Sequence, residues 1–273
     1  MPEGDTLFQA ARRLHEAFAG QVIVRFATPL PKLKEQGIEG RSVVRARAHG
    51  KYVIIELDDG RALLSHLRMQ GTWSVLEKRR MSVKSLAQTQ RPMRWDDEVT
   101  TLILESRNSV AILRRAALIE LAPLPEIERR LSSLGPDVLA PEFELQATLT
   151  LLKSAPELTI AEALLRQSLL AGVGNVYKSE ILFMERQNPF ALVASLDDAT
   201  LTRLLERARS LMRRNLGGRR RTTSGMQTGT PYYVYERSGR HCLKCDTTIR
   251  MRRQGPLQRS TYFCPECQSV PEG

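Results

Sequence analysis

Two cysteine pairs near the end of the chain constrain it more than any other feature of the sequence. Cys242-Leu243-Lys244-Cys245 and Cys264-Pro265-Glu266-Cys267 are separated by eighteen residues, and the 273-residue chain has no other cysteine. Each Cys-x-x-Cys knuckle can offer two thiolates to one side of a tetrahedral ion, so two knuckles at this separation predict one structural Zn2+. Four thiolate ligands leave no open coordination position, which argues against catalytic zinc. Disulfides are disfavoured in a reducing compartment, and a redox dithiol would need only one such pair. Between the knuckles, 249–252 and 259–263 flank Gly255-Pro256 and read as a β-hairpin. A hairpin this small buries little core, so the metal must supply its folding energy.

The charge of the chain is concentrated around that motif. The formal net charge is +11, and the stretch 201–262 holds 15 Lys and Arg against 3 Asp and Glu, so it carries the whole excess. Arginine dominates it, as suits bidentate contact with phosphate. A solvated face is the ordinary meaning of a basic run, but this density beside a zinc motif favours nucleic acid as partner. The hydrophobic fraction of 42% and charged fraction of 26% describe a globular chain, not a disordered one. No apolar run approaches the roughly twenty residues of a membrane span. The start, Met1-Pro2-Glu3-Gly4-Asp5, lacks an apolar secretory core, so the expected compartment is the cytoplasm, with no membrane partner.

Hydrophobic periodicity divides the chain into three parts. Leu7, Ala11, Leu14 and Phe18 recur at helical spacing, with Asp5 or Thr6 available as N-cap and Gly20 as stop. The period then changes to that of short strands at 22–26, 42–46, 52–57, 62–66 and 72–76, with Asp58-Asp59-Gly60 as a hairpin turn. A polar, basic connection over 77–98 reads as a loop, and strands resume at 100–105, 110–113 and 117–121. One helix and roughly eight strands predict a β-sandwich or barrel-like first domain, 1–121. Ala122-Pro123-Leu124-Pro125 marks a boundary, followed by helical patterns at 126–134, 142–152, 160–170, 176–185 and 196–216. These form a helical domain, 126–225, and the zinc hairpin occupies 232–273. The fold class is therefore multidomain α and β.

Ala171-Gly172-Val173-Gly174-Asn175 joins two of the helical patterns. Its glycines would let the backbone approach a phosphate, with the free amides of the next helix aimed outward. A turn between helices that needs the glycines only for packing would look the same.

Taken together, Pro2-Glu3-Gly4, the segment from Ala171 to Glu180, Asn188-Pro189-Phe190 and the ending from Gln258 to Gln268 resemble the formamidopyrimidine-DNA glycosylase and endonuclease VIII family. The resemblance runs from the first residue to the last knuckle. The start Met-Pro-Glu-Gly-Asp-Thr, with Ser65-His66-Leu67-Arg68-Met69, looks closer to the actinobacterial-type endonuclease VIII branch. It implies a helix–two-turn–helix domain between the β-sandwich and the zinc hairpin. It also implies a monomer that acts on damaged DNA in the bacterial cytoplasm, at the nucleoid.

In such enzymes Met1 is removed and the new terminal proline, here Pro2, is the nucleophile. A secondary amine attacking the sugar C1′ gives a cationic iminium, an electron sink that labilises the adjacent C–H for β- and then δ-elimination. The amine must be neutral, and an α-amino group titrates near ~7.7–8. Small residues are common after a removed Met, so Pro2 means little without its companions. By the same resemblance Glu3 protonates the opening sugar and shuttles protons, where a plain helix-start acid is the alternative. Lys51, in Gly50-Lys51-Tyr52, contacts phosphate beside the lesion, or is a solvated strand-end charge. Asn175 binds phosphate from the turn, and Arg259 clamps the lesion-flanking phosphate from the hairpin. Tyr177 and Tyr235 add phosphate hydrogen bonds or pack in the core. Met69 wedges into the hole left by the flipped base, or packs as a strand methionine.

Three positions depart from the family pattern. Thr6 replaces a second N-terminal glutamate, Ala116 in Arg114-Arg115-Ala116-Ala117 stands where an aromatic is usual, and Ala161 stands where a lysine often precedes the turn. These weaken an 8-oxoguanine assignment more than the lyase chemistry. The expected function is a glycosylase and β,δ-lyase for oxidised pyrimidines or ring-opened purines. A non-catalytic damaged-DNA-binding relative is the first alternative. A zinc-ribbon protein of RNA or the ribosome is the second, and it leaves the N-terminal motif unexplained.

Overall fold

Leu7, Ala11, Leu14 and Phe18 form one buried stripe along helix α1 (Gly4–Phe18). Asp5 lies inside the first turn of this helix, which opens at Gly4, and not at its N-cap, and the Gly4 amide donates to Gly172 O at 2.9 Å. The computed structural model describes residues 1–78, 99–217, 221–225 and 229–269. From residue 79 onward the expected loop at 77–98 lies outside the described residues, as do Arg219 and Arg220. The chain folds as two units, Met1–Pro2 with Thr6–Ser132, and Glu3–Asp5 with Ser133–Gly273.

In the first unit the expected strands form two antiparallel four-stranded sheets. One runs in the order β2 (Val43–His49), β3 (Tyr52–Leu57), β4 (Arg61–His66), β8 (Leu118–Pro123). The other runs β1 (Arg25–Ala27), β6 (Thr100–Glu105), β7 (Ser109–Arg114), β5 (Thr72–Glu77). Alternate residues Val53, Ile55 and Leu57 of the first sheet share a core with Leu102, Leu104, Ala111 and Leu113 of the second, and the α1 stripe joins them. The intervening Ile103, Val110 and Ile112 pack on the opposite face, as a period of two requires. A short helix α2 (Pro31–Gln36) has no counterpart in the sequence reading. It buries one residue, Leu33, and so carries no periodicity. Helix α3 (Leu124–Leu131) follows β8.

The second unit holds helices α4 (Leu145–Lys153), α5 (Ile160–Leu165), α6 (Asn175–Met184) and α7 (Asp198–Arg214). Helix α5 opens on a capping box in which Thr159 and Glu162 satisfy each other's backbone amides. It ends earlier than its hydrophobic pattern does, because Arg166 turns extended and Gln167 spends its side chain on the turn. Gln167 Nε2 donates to Val173 O at 2.9 Å, and its Oε1 accepts from the Gly172 amide at 3.1 Å. Strands β9 (Arg250–Gln254) and β10 (Arg259–Phe263) make the hairpin expected between the knuckles, with Arg259 opposite Gln254. Phe183, Val234, Ile249, Cys242 and Cys264 form a small core beneath it. No helix among the described residues is long and apolar enough to cross a membrane.

Candidate functional site

Of the two purposes that the sequence allows the glycine turn before α6, phosphate approach or packing, the contacts of Glu3 fit the second. Glu3 is fully buried (0% exposed), and its carboxylate sits on the start of α6. It accepts hydrogen bonds from the amides of Gly174 at 3.0 Å, Val176 at 2.8 Å and Tyr177 at 3.3 Å. The amides expected to face a phosphate are therefore taken by the protein's own carboxylate, which a helix N-terminus attracts just as strongly. A Cβ on Gly174 would lie 2.3 Å from Glu3 Cδ, so the close approach that the glycine permits is that of Glu3.

Four successive residues of α6 are buried, and they tie the helix to three other segments. Tyr177 donates its hydroxyl to Asp5 Oδ2 at 2.9 Å. Of the phosphate contact and the core packing expected as alternatives for Tyr177, the fully buried ring and a hydroxyl bonded inside the unit fit the packing. Lys178 donates to Ser260 O at 2.8 Å and Thr261 Oγ1 at 2.7 Å, both on β10. Burial pushes its ammonium down to about 7, with Glu3 opposing the push and Arg259 adding to it. Ser179 Oγ accepts from the Tyr262 amide at 3.5 Å. Glu180 accepts from the amides of Tyr233, Val234 and Tyr235, each at 2.8 Å, and from the Thr223 hydroxyl. Burial raises the Glu180 carboxyl above its usual range, and these four donors pull the other way. Lys178 and Glu180 went unnoticed in the sequence. The available signal was a helix with polar residues on every face and no solvent-facing stripe.

Asn175 begins α6, and its Oδ1 is buried without a hydrogen-bond partner, so the carboxamide has unspent bonding capacity there. Arg259 is exposed at the start of β10. It lines a groove of about 270 Å³ together with Ala161, Leu165, Gly255, Leu257 and Thr261. Ala161, where the family often carries lysine, thus leaves space at the foot of the hairpin.

The four cysteine sulfurs lie within 4.8 Å of one another. Cys245 Sγ is 3.4 Å from the sulfurs of both Cys264 and Cys267, and Cys242 Sγ is 3.9 Å from Cys267 Sγ. A tetrahedron with metal–sulfur bonds of about 2.3 Å places its sulfurs about 3.8 Å apart, so the cluster fits a four-thiolate ion.

In the first unit, Gly50-Lys51 forms the turn between β2 and β3. Lys51 lies close enough to His66 to act on its charge. The His66 imidazole is pushed down to about 4 by burial, and further by Lys51 and Arg68. It is held by an edge contact with Tyr52 and by accepting the Arg68 amide at 3.0 Å. Met69 is not in a strand core. It is 60% exposed, in the turn closed by the Gly71 amide on Leu67 O. Pro2 belongs to this unit by its contacts and is joined to Glu3 by one peptide bond.

Comparison with known proteins places this geometry in context. The model of the formamidopyrimidine-DNA glycosylase N-terminal domain matches residues 1–113, and that of its H2TH domain matches residues 134–226. A probable endonuclease 8 2 of Streptomyces coelicolor is 36% identical, with 99% of this chain and 95% of the relative aligned. A DNA-(apurinic or apyrimidinic site) lyase of Mycolicibacterium smegmatis is 33% identical over 99% of this chain and 100% of its own. In fold, the chain is similar to a Lactococcus lactis formamidopyrimidine-DNA glycosylase bound non-covalently to DNA containing an AP site. That likeness has a TM-score of 0.77 at 22% identity, covering 98% of this chain and 99% of the other.

Proposed function

Because the chain belongs to the formamidopyrimidine-DNA glycosylase and endonuclease VIII family, on its actinobacterial-type side, we propose that it excises oxidised bases from DNA and then cleaves the abasic strand. The substrates are oxidised pyrimidines or ring-opened purines. The observation that carries the reading is the buried Glu3 carboxylate on the start of α6, which holds the residue next to Pro2 in a fixed place. Once Met1 is removed, the Pro2 nitrogen attacks C1′ and the bond to the damaged base breaks. Glu3 takes the proton that the attacking nitrogen loses and passes it to the sugar ring oxygen as the ring opens, and the nitrogen becomes an iminium. Loss of a C2′ proton then expels the 3′ phosphate, and a second elimination expels the 5′ phosphate. Water hydrolyses what remains on the nitrogen and restores the amine.

The rest of the chain holds the DNA. Arg259 and Asn175 bind phosphates beside the lesion, Lys51 binds one from the β2–β3 turn, and exposed Met69 enters the space left by the flipped nucleotide. Cys242, Cys245, Cys264 and Cys267 hold one Zn2+, whose part is to fold the hairpin. The sandwich at 1–121, the helical part at 126–225 and the hairpin at 232–273 act as three functional parts of one monomer.

The test is to incubate the protein with abasic-site DNA and borohydride, which reduces an iminium to a stable adduct. A covalent adduct is expected from the wild type and should be lost in Pro2→Gly and in a form that retains Met1. An adduct that survives both changes, or none from the wild type, would overturn the assignment of Pro2.

A further inference from the structure

Arg221 ends the run Arg219-Arg220-Arg221 in the most basic part of the chain, yet it does not face solvent. Its side chain is 11% exposed and grips Asp5, a buried carboxylate of the first turn of α1. The grip is a fork, with Nε to Asp5 Oδ2 at 2.8 Å and the Nη2 nitrogen to Oδ1 at 2.5 Å. The Tyr177 hydroxyl adds a bond to Oδ2 at 2.9 Å, and the guanidinium lies over the Tyr177 ring at 5.2 Å. Burial by itself would lower the Arg221 pKa, but the hydrogen bonds and charge of Asp5 hold it above the usual arginine value, so Arg221 keeps its charge. A paired, buried fork of this kind fixes both position and direction.

The segment that presents Arg221 is itself anchored. The Thr222 amide donates to Asn215 Oδ1 at 2.9 Å, and Asn215 Nδ2 donates back to Thr222 O at 3.0 Å. Thr223 donates its hydroxyl to Glu180 on α6. Asp5 is therefore gripped by an arginine on a pinned segment and a tyrosine on a buried helix. Glu3, two residues earlier, is held by the amides that open that same helix.

We propose that Arg221 is a positioning residue for the amino-terminal nucleophile, acting through Asp5. The proposal rests on the reading of Pro2 as that nucleophile. The Glu3 carboxylate and the Gly4 amide, which donates to Gly172 O at 2.9 Å, hold the terminal strand against the turn that opens α6. The Asp5–Arg221 fork supplies a second point and fixes the direction in which the preceding residues leave the helix. A nucleophile misplaced by about 1 Å can lose on the order of a hundredfold in rate. The fork also accounts for the acid beside Thr6. Asp5 spends both oxygens on Arg221 and Tyr177, so it orients the strand and does not replace the missing glutamate as a proton carrier.

The test uses the full-length protein and separates rate from binding. The single-turnover rate of borohydride-trapped adduct is measured at saturating enzyme on abasic-site duplex. The Kd is measured on a duplex carrying a tetrahydrofuran site, which has no aldehyde to react. Arg221→Met should slow trapping tenfold or more with Kd within threefold of wild type. Arg221→Lys, which keeps the charge without the fork, should fall between the two. Should Arg221→Met fail to fold, Tyr177→Phe removes one bond to Asp5 and should slow trapping about threefold at unchanged Kd. A wild-type trapping rate in Arg221→Met, or in Tyr177→Phe where the first does not fold, overturns the proposal. So does a Kd that weakens as much as the rate, which would make Arg221 a DNA contact. Absence of adduct from the wild type would instead overturn the Pro2 reading and this inference with it.

Discussion

At the scale of single residues, Gly174 shows how the fold decides between two purposes that one motif allows. The sequence placed a glycine turn before a helix and left it open to a phosphate or to packing. The fold gives the place to Glu3, whose Cδ would sit 2.3 Å from any Cβ at this position. Gly174→Ala must therefore displace the carboxylate from three amides. The expected result is a loss of about 3 kcal/mol in stability by denaturant unfolding, from overpacking and from unpaired buried donors. Adduct trapping should fall at least tenfold in the same variant. Wild-type stability in Gly174→Ala would show that Glu3 does not need this seat.

Among the elements, α6 is the one on which the second unit is assembled. Tyr177, Lys178, Ser179 and Glu180 bind in turn the N-terminal strand, the start of β10, its middle and the segment 233–235. Its β10 partner belongs to the hairpin whose four cysteines are placed to bind a metal, so loss of that metal should reach Arg259 as well. Removing zinc with a chelator should melt the hairpin and release Arg259 from its place. DNA affinity measured by anisotropy at several salt concentrations should weaken on damaged and undamaged duplex alike. The slope of log Kd against log salt should fall by about 1, the share of one phosphate contact. Arg259→Ala in the zinc-loaded protein should give the same change in slope. An unaltered slope in both would remove Arg259 from the phosphate contacts.

For the whole molecule, the buried Lys178 gives stability a defined dependence on pH. Its ammonium is lowered to about 7 in the folded chain against an ordinary 10.5. Between these values the unfolded chain binds a proton that the folded chain lacks, so this group makes stability rise with pH. The benefit is complete above the unfolded value and is lost as pH falls toward 7. Unfolding free energies of wild type and Lys178→Met, measured at pH 7, 8 and 9, should show a difference that shifts in favour of wild type as pH rises. The slope should approach about 1.4 kcal/mol per unit, and the subtraction removes the titration of the thiols. A flat difference would mean that Lys178 keeps its proton throughout.

What the sequence determined by itself was whatever depends on spacing along the chain. The two knuckles, the alternation of Val53, Ile55 and Leu57, and the stripe from Leu7 to Phe18 follow local geometry, and each lies in the expected element. The family motifs likewise identified Pro2 and Glu3 as residues to watch. Only the tertiary structure decided which groups satisfy one another over more than a hundred residues. Asp5 and Arg221 are 216 positions apart, and Glu3 and Val176 are 173 apart. No periodicity encodes such pairs, because a buried charge takes whichever partner the packed backbone brings within reach. The four-cysteine hairpin could be read from four letters and their spacing, whereas the seat of the terminal strand required the fold.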